Sequence, residues 1–335
     1  MDFKRLRILR ELADRQTVGA TAEALKVTAS AVSQQLKALQ DELGVVLVER
    51  DGRGVRLTEA GEAMAGAAAD VATAMARAES TVDAYRQGWQ SRIRAAFFPS
   101  AAEMLLPGLL HRLGQLEGVH LEAHFEDPGT AGFAGLAADY DIVLAHSVDG
   151  AELFVRHGLE VRPLLEEPLD VAMPAGHELA AKDRLTAHDV ARHPWIGVPA
   201  GFPFDTVLRR IELQAGTTAV RRQRFPDLRV LEALVKGGHG ISLLPRYTAR
   251  SGAGHGLVLR PIEGVRASRS IVALARRDVA ARTTVRRTLE LLRDVAAEVA
   301  VPEGRTLAGK AAHPPDGHKA GIKGPQVVVG RPTES

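Results

Sequence analysis

The chain has 335 residues and no cysteine. That absence excludes disulfide scaffolds, thiolate nucleophiles, cysteine–zinc sites and thiol redox sensing together. A dominant charge sign is also missing: 43 Lys and Arg against 41 Asp and Glu leave a net charge of +2. Bulk basicity therefore gives no argument for nucleic-acid binding, despite a sequence pI near 9.0. No apolar run approaches the roughly 18 residues of a membrane span. The start, Met1-Asp-Phe-Lys-Arg-Leu-Arg, lacks the apolar core of a signal peptide. There is no nucleophile-elbow serine motif, phosphate-binding loop or dinucleotide glycine fingerprint, and no acid–base pair stands out by spacing. The expectation is a cytoplasmic, non-enzymatic protein without cofactor or metal, long enough for about two domains at roughly 150 residues each.

Composition divides the chain into four regions. Residues 1–58 are compact, charged and helical in pattern, ending in a Gly-rich turn. Residues 59–89 are Ala-rich without Pro, and 91–300 alternate short apolar runs with helical periods, as an α/β domain does. Residues 301–335 contain 5 Pro and 6 Gly and no aromatic, a composition that cannot bury a core and reads as a disordered tail. In the second region Met64, Ala68, Val71, Met75, Ala78, Val82, Tyr85 and Trp89 are spaced 4, 3, 4, 3, 4, 3, 4. This 3.5-residue period predicts a helix that supercoils on a partner, hence a homodimer or homotetramer. The alternative is an amphipathic helix packed on its own domain. Thr58 is its expected N-cap, with Glu59 and Glu62 at the positive end of the dipole.

In the first region Phe3, Leu6, Leu9, Leu12 and Ala13 mark one face of a helix. Thr17 can cap a second helix to Leu25, and after a short turn Thr28 can cap a third, from Ala29 to about Leu39, with Val32, Leu36 and Leu39 inward. This is a helix-turn-helix, and Ala29, Ser30, Ser33, Gln34 and Lys37 face outward. Small polar side chains on such a face can reach base edges in a major groove, while Lys37 suits phosphate. Two apolar runs, 47–50 and 55–57, flank Asp51-Gly-Arg-Gly54, a hairpin signal. The hairpin makes a wing with Arg53 at its tip and Arg50 and Arg56 on its strands, placed for a minor groove or for phosphates. Double-stranded DNA is the expected partner.

The stretch from Ala22 through Gly44, followed by Glu49-Arg-Asp-Gly-Arg-Gly-Val-Arg-Leu-Thr-Glu-Ala-Gly61, resembles the LysR-type transcriptional regulators, over roughly residues 1–300. The family usually has Phe where Val18 and Val48 stand, which implies a slightly smaller core here, and often has proline at the position of Ser30. The resemblance implies an α/β fold with an N-terminal winged helix-turn-helix, a long linker helix and a two-lobed, periplasmic-binding-protein-like effector domain. It implies one lobe from 91–161 plus 266–300 and a second from 162–265, with hinges near 161–164 and 258–262. A small-molecule effector of unknown identity would lie between the lobes and bias the angle between DNA-binding domains.

Within 91–300, buried strands are expected at 93–98 and 141–144, with further strands over 161–173, 194–198 and after 237–240. Their alternation with helices favours a mostly parallel sheet with ligands at strand C-terminal ends. Val119, Leu121, Ala123 and Phe125 alternate as the inward face of another strand. The opposite face carries His120, Glu122 and His124, where core-in, polar-out alternation explains the pattern without a metal. By position, Phe98, Ser100 and Ala101 after the first strand and His146 after the 141–144 strand face the pocket. Ala200, Gly201 and Phe202 precede a helix starting near Asp205, whose free N–H groups could hold a carboxylate. Ser100 is the residue that keeps a hydroxyl where family members often bind effector. Phe98, Phe202 and Phe204 suit an apolar or aromatic molecule.

The leading reading is a sequence-specific, effector-controlled DNA-binding regulator. The alternatives are a constitutive regulator with a degenerate pocket and a solute-binding module without DNA function. Charge sharpens this choice: residues 1–60 carry 10 basic and 9 acidic groups. DNA binding would then rest on where the cations sit and on dimerisation, with weak non-specific affinity.

Overall fold

A computed structural model describes residues 1–52, 54–83, 91–155, 158–249 and 256–300. The expected tail, the wing-tip Arg53, and Tyr85 and Trp89 of the seam lie outside the described residues. No helix among those described is long and apolar enough to cross a membrane.

The chain opens with α1 (Phe3–Arg15), α2 (Val18–Leu25) and α3 (Ala29–Leu43), each started by a side chain that satisfies an otherwise orphan N–H. Asp2 accepts from Lys4, Thr17 from Ala20 and Thr28 from Ala31. α3 runs four residues past the expected Leu39. Leu43 continues its inner face, and Gly44 at φ +69° supplies the left-handed stop. The wing strands β1 (Val48–Asp51) and β2 (Gly54–Leu57) pair antiparallel, Asp51 opposite Gly54. The long helix α4 (Glu59–Asp83) follows, with Thr58 Oγ1 accepting from Gly61 N at 3.0 Å. Gly61 is required there, because an added Cβ would meet the Leu47 carbonyl oxygen at 2.0 Å. Leu6, Leu9, Leu12, Val32, Leu36, Leu39, Leu47 and Ala68 form the core of this N-terminal part.

The rest of the chain builds two further cores. The first comprises β3 (Ser91–Phe97), α5 (Pro99–Leu113), β4 (Val119–Phe125), α6 (Phe133–Leu136), β5 (Ile142–Ser147) and α7 (Glu152–Val155). A long strand, β6 (Leu159–Pro174), then crosses to the second core, formed with α8 (Ala187–Ala191), β7 (Pro194–Gly197), α9 (Pro203–Ala215), β8 (Val220–Arg224), α10 (Leu228–Lys236), β9 (Ser242–Pro245) and β10 (Leu257–Arg260). The chain returns through β11 (Ser268–Arg276), α11 (Arg277–Ala280) and α12 (Thr283–Val299) to the first core.

The sheet is not mostly parallel. β3 pairs parallel with β4 and β5, and β7 with β8, but β11 runs antiparallel to both β5 and β6, and β9 and β10 run antiparallel to β6. The reason is topological: the chain leaves the first lobe on β6 and comes back on β11, so the two crossings point in opposite directions. The crossings also sit later than the expected hinges. Residues 159–168 of β6 pair with β11, and pairing with β9 begins at Leu169. Val161 and Leu164 thus lie inside the first sheet and pack on its core. On the return, Val258 and Ile262 still belong to the second core, so the change of lobe falls between Ile262 and Ser268. β4 forms the edge of its sheet. Val119 and Leu121 pack inward as expected, but Ala123 is exposed and Phe125 is 69% exposed.

Candidate functional site

α3 presents Thr28, Ala29, Ser30, Ser33, Gln34 and Lys37 to solvent while Val32, Leu36 and Leu39 are buried. Two of the outward groups already have local work: Thr28 caps the helix, and Ser33 Oγ donates to the Ala29 carbonyl at 3.0 Å. Arg50 is exposed on β1; Arg56, exposed on β2, is ion-paired with Glu49 across the hairpin. Gln40, not singled out from the sequence, ties wing to helix: its Oε1 accepts from Leu47 N at 2.8 Å and Val48 N at 3.0 Å. The expected seam on α4 divides. Met64 and Ala68 pack into the N-terminal core, whereas Val71, Met75 and Val82 are 39%, 40% and 53% exposed.

Between the two lobes of the C-terminal part lies a cavity of about 510 Å³, within the roughly 300–1,000 Å³ range of small-molecule sites. The first lobe contributes Phe98, Ser100, Glu103, Phe125, Asp127 and His146; the second contributes Phe202, Phe204, Leu228 and Thr248. Arg229 on α10 spans the gap, forming ion pairs with Glu103 on α5 and with Glu232 on its own helix.

Arg269 is the buried centre of one wall. Its guanidinium donates to Glu167 at 2.6 and 2.8 Å and to Ser100 Oγ at 2.7 Å. It lies 5.1 Å from the Phe98 ring centroid and 5.4 Å from that of Phe204, cation–π distances to one aromatic from each lobe. Glu167 is fully buried and its other oxygen accepts from Tyr247 N at 3.3 Å. The arginine is therefore neutralised where it stands.

His146 forms a second wall, buried edge-on against Phe98 and Phe133 with ring centroids 4.4 and 5.1 Å away. Burial pushes its pKa down to about 4; Asp127 opposes this and the Arg269 charge adds to it. The ring is thus neutral at pH 7. Its Nε2 stands 3.7 Å from Asp127 Oδ1, too far for a hydrogen bond. Both Asp127 Oδ1 and His146 Nδ1 are buried without a hydrogen-bond partner.

Of the effector residues expected from position, Phe98, Ser100, His146 and Phe202 line this cavity and Ala101, Ala200 and Gly201 do not. Ala101 is fully buried in the first-lobe core. α9 begins at Pro203 rather than Asp205, so its first residue has no N–H to offer. The Asp205 N–H bonds to the Phe202 carbonyl, and its carboxylate is buried against Arg209 at 2.9 Å. At this helix start, then, neither Pro203 nor Asp205 has an N–H free for a ligand carboxylate. Sequence reading missed Arg269, Asp127, Arg229 and Phe125. An arginine two residues ahead of the apolar run 271–275 was the available signal for the first.

Residues 3–62 match the family described as "Bacterial regulatory helix-turn-helix protein, lysR family", and residues 86–297 match "LysR substrate binding domain". The probable hydrogen peroxide-inducible genes activator of Mycobacterium leprae is 30% identical over 76% of this chain and 78% of its own length. The transcriptional dual regulator GltC of Bacillus subtilis is 27% identical over 81% of this chain and 89% of its own. Among solved structures, full-length OxyR from Pseudomonas aeruginosa matches with a TM-score of 0.61 at 23% identity, covering 92% of this chain and 99% of that one. ArgP from Mycobacterium tuberculosis matches at 0.59 and 22%, covering 89% and 98%; at such identities these two speak for the fold alone. Two matched domains in the order of a winged helix followed by a two-lobed α/β module place the chain in the LysR family of DNA-binding transcriptional regulators, with an effector-binding domain and no enzymatic role.

Proposed function

We propose that a small molecule bound between the two lobes sets the activity of this regulator, which works in the cytoplasm as a homodimer or homotetramer. Thr28, Ala29, Ser30, Ser33 and Gln34 read base edges, and Lys37, Arg50, Arg53 and Arg56 meet phosphates or the minor groove. Val71, Met75 and Val82 supply the apolar stripe for pairing of linker helices.

The observation that carries this reading is the cavity lined from both lobes and bridged by Arg229 and Glu103. A ligand there changes the spacing of the lobes by contacts it makes with both. The peroxide in the name of one relative does not transfer directly, because peroxide sensing through a thiolate needs a cysteine and these 335 residues contain none.

The test is a footprint on DNA flanking the gene, with and without metabolites that raise the protein's melting temperature. Two protected half-sites about one helical turn or a multiple apart are expected, with a pattern that shifts when the stabilising metabolite is added. Protection that no stabilising metabolite alters would leave a constitutive regulator.

A further inference from the structure

Six charged residues line the cavity: Glu103, Asp127, Asp227 and Glu232 against Arg229 and Arg269. Both arginines are already met by carboxylates, Arg269 by Glu167 and Arg229 by Glu103 and Glu232. Asp227 is engaged as the N-cap of α10, accepting from Arg229 N at 2.8 Å. An anionic ligand would therefore meet guanidiniums whose charge is already countered, Arg269 by the buried Glu167 and Arg229 by the buried Glu232 and the exposed Glu103. The polar atoms without partners are of the opposite kind. Asp127 Oδ1 accepts hydrogen bonds and cannot donate when ionised. With that carboxylate facing His146 Nε2, the imidazole proton belongs on Nε2, which leaves Nδ1 an acceptor too. The wall thus holds two buried acceptors with no donor at hydrogen-bond distance, beside the 69%-exposed face of Phe125 and the rings of Phe98 and Phe202.

We infer that the effector is a cation: an amine or amidine on an apolar or aromatic body, its N–H groups held by Asp127 and His146 and its body packed among Phe98, Phe125 and Phe202. This deepens the proposed function and rests on reading the interlobe cavity as the effector site. The cationic head replaces the missing donors, where an unpartnered buried acceptor is costly, and adjacent aromatic faces favour a positive charge. The apolar body covers Phe125, whose ring is otherwise largely exposed.

The probes are three molecules sharing one phenyl body: 2-phenylethylamine, 2-phenylethanol and 3-phenylpropionate. Each is titrated calorimetrically into the full chain at pH 7.5, where the amine is protonated. The amine is expected to bind at least tenfold more tightly than the other two. Asp127→Asn, nearly isosteric, should weaken the amine at least tenfold and leave the carboxylate unchanged; His146→Phe gives an independent loss on the same probe should the first variant not fold. Tighter binding of 3-phenylpropionate, or amine affinity indifferent to both substitutions, overturns the cationic assignment. If the carboxylate binds and Phe202→Ala abolishes it, the cavity remains the effector site and the charge class alone falls. If none of the three binds, the cationic assignment is overturned as well, and a metabolite found in the footprint assay still tests the cavity separately.

Discussion

Arg10 on α1 grips Asp278 on α11 with two hydrogen bonds, of 2.6 and 2.9 Å, across 268 residues of sequence. The pair fastens the DNA-binding part of the chain to the first effector lobe. It does not stand alone: Arg276 reaches Glu11 at 2.9 Å, and Arg15 reaches Asp139 at 2.8 Å. Burial by itself would raise the Asp278 carboxyl, but the hydrogen bond and charge of Arg10, with Arg276, hold it below its ordinary value. The contribution is thus fully present above the unfolded carboxyl range and is lost as acid titrates the folded group. Asp278→Ala should destabilise by about 2–4 kcal/mol in urea, because it strands a guanidinium that is nearly buried. Arg10→Met with Asp278→Leu should recover part of that loss. A single-variant cost below about 0.5 kcal/mol, as for exposed pairs, would show that the two parts are not clamped in solution.

This clamp marks the limit of what the sequence discloses. The caps at Thr17, Thr28 and Thr58, the inner faces of α1 to α3 and the hairpin are local signals, each spelled within a few residues, and all are found in place. Arg10, Asp278, Arg269 and Glu167 are ordinary surface-type residues until a long-range fold brings them together. The same holds for the cavity. Phe98 and Ser100 were legible because they directly follow a strand, and His146 because it stands at the C-terminal end of one. Asp127, however, lies in the loop after β4 and Arg229 on the polar side of α10, where only the long-range fold turns them toward the cavity. The late crossing at Leu169 was hidden because β6 serves two sheets as one unbroken strand.

His146 makes stability depend on pH. Its folded pKa of about 4 lies below the ordinary 6.5, with Asp127 and Arg269 the charged groups facing it. Between those values the unfolded chain binds the proton and the folded chain does not, so stability falls as pH drops from 6.5 to 4. The full effect is about 3 kcal/mol by the size of the shift. His146→Phe retains the edge-on packing with Phe98 and Phe133 and removes the titration. Its loss of unfolding free energy from pH 7 to pH 4 should be smaller than wild type's by roughly that amount. Parallel curves would mean that the imidazole is solvated and charges freely in the folded state.

Arg269 and Glu167 form the most deeply buried ion pair beside the cavity, with side chains 3% and 0% exposed. Breaking it from one side leaves a buried charge without compensation. Glu167→Leu should cost about 3–5 kcal/mol in chemical denaturation, while the double substitution with Arg269→Met should cost far less. Equal costs for the single and double variants would show that the pair is worth its full interaction energy, contrary to its expected balance against desolvation.

The open half of the α4 stripe gives an oligomerisation test. Met64 and Ala68 are covered by the chain's own core, so assembly would rest on Val71, Met75 and Val82. Val71→Glu with Met75→Glu should shift sedimentation toward monomer without lowering the melting temperature of the N-terminal core, since neither residue packs into it. Unchanged sedimentation of that variant would place the interface elsewhere.

DNA affinity should separate by residue according to what each side chain can reach. Lys37 and Arg50 are exposed cations, so replacing either with alanine should weaken binding to all sequences alike. Each loss should lower the slope of log affinity against log salt by about 1. Gln34 is exposed on the same helix and can pair two hydrogen bonds with a base edge. Gln34→Ala should cost on the order of 1–3 kcal/mol at the cognate site and leave the salt slope unchanged. Arg56 differs from Arg50 because Glu49 already pairs with it, so Arg56→Ala should lower the slope by less, and Glu49→Gln should strengthen binding at low salt by freeing the guanidinium. Competition gel shifts over a salt series read all five variants. An Arg56 loss equal to that of Arg50, with Glu49→Gln silent, would show that the hairpin ion pair opens at no cost on DNA.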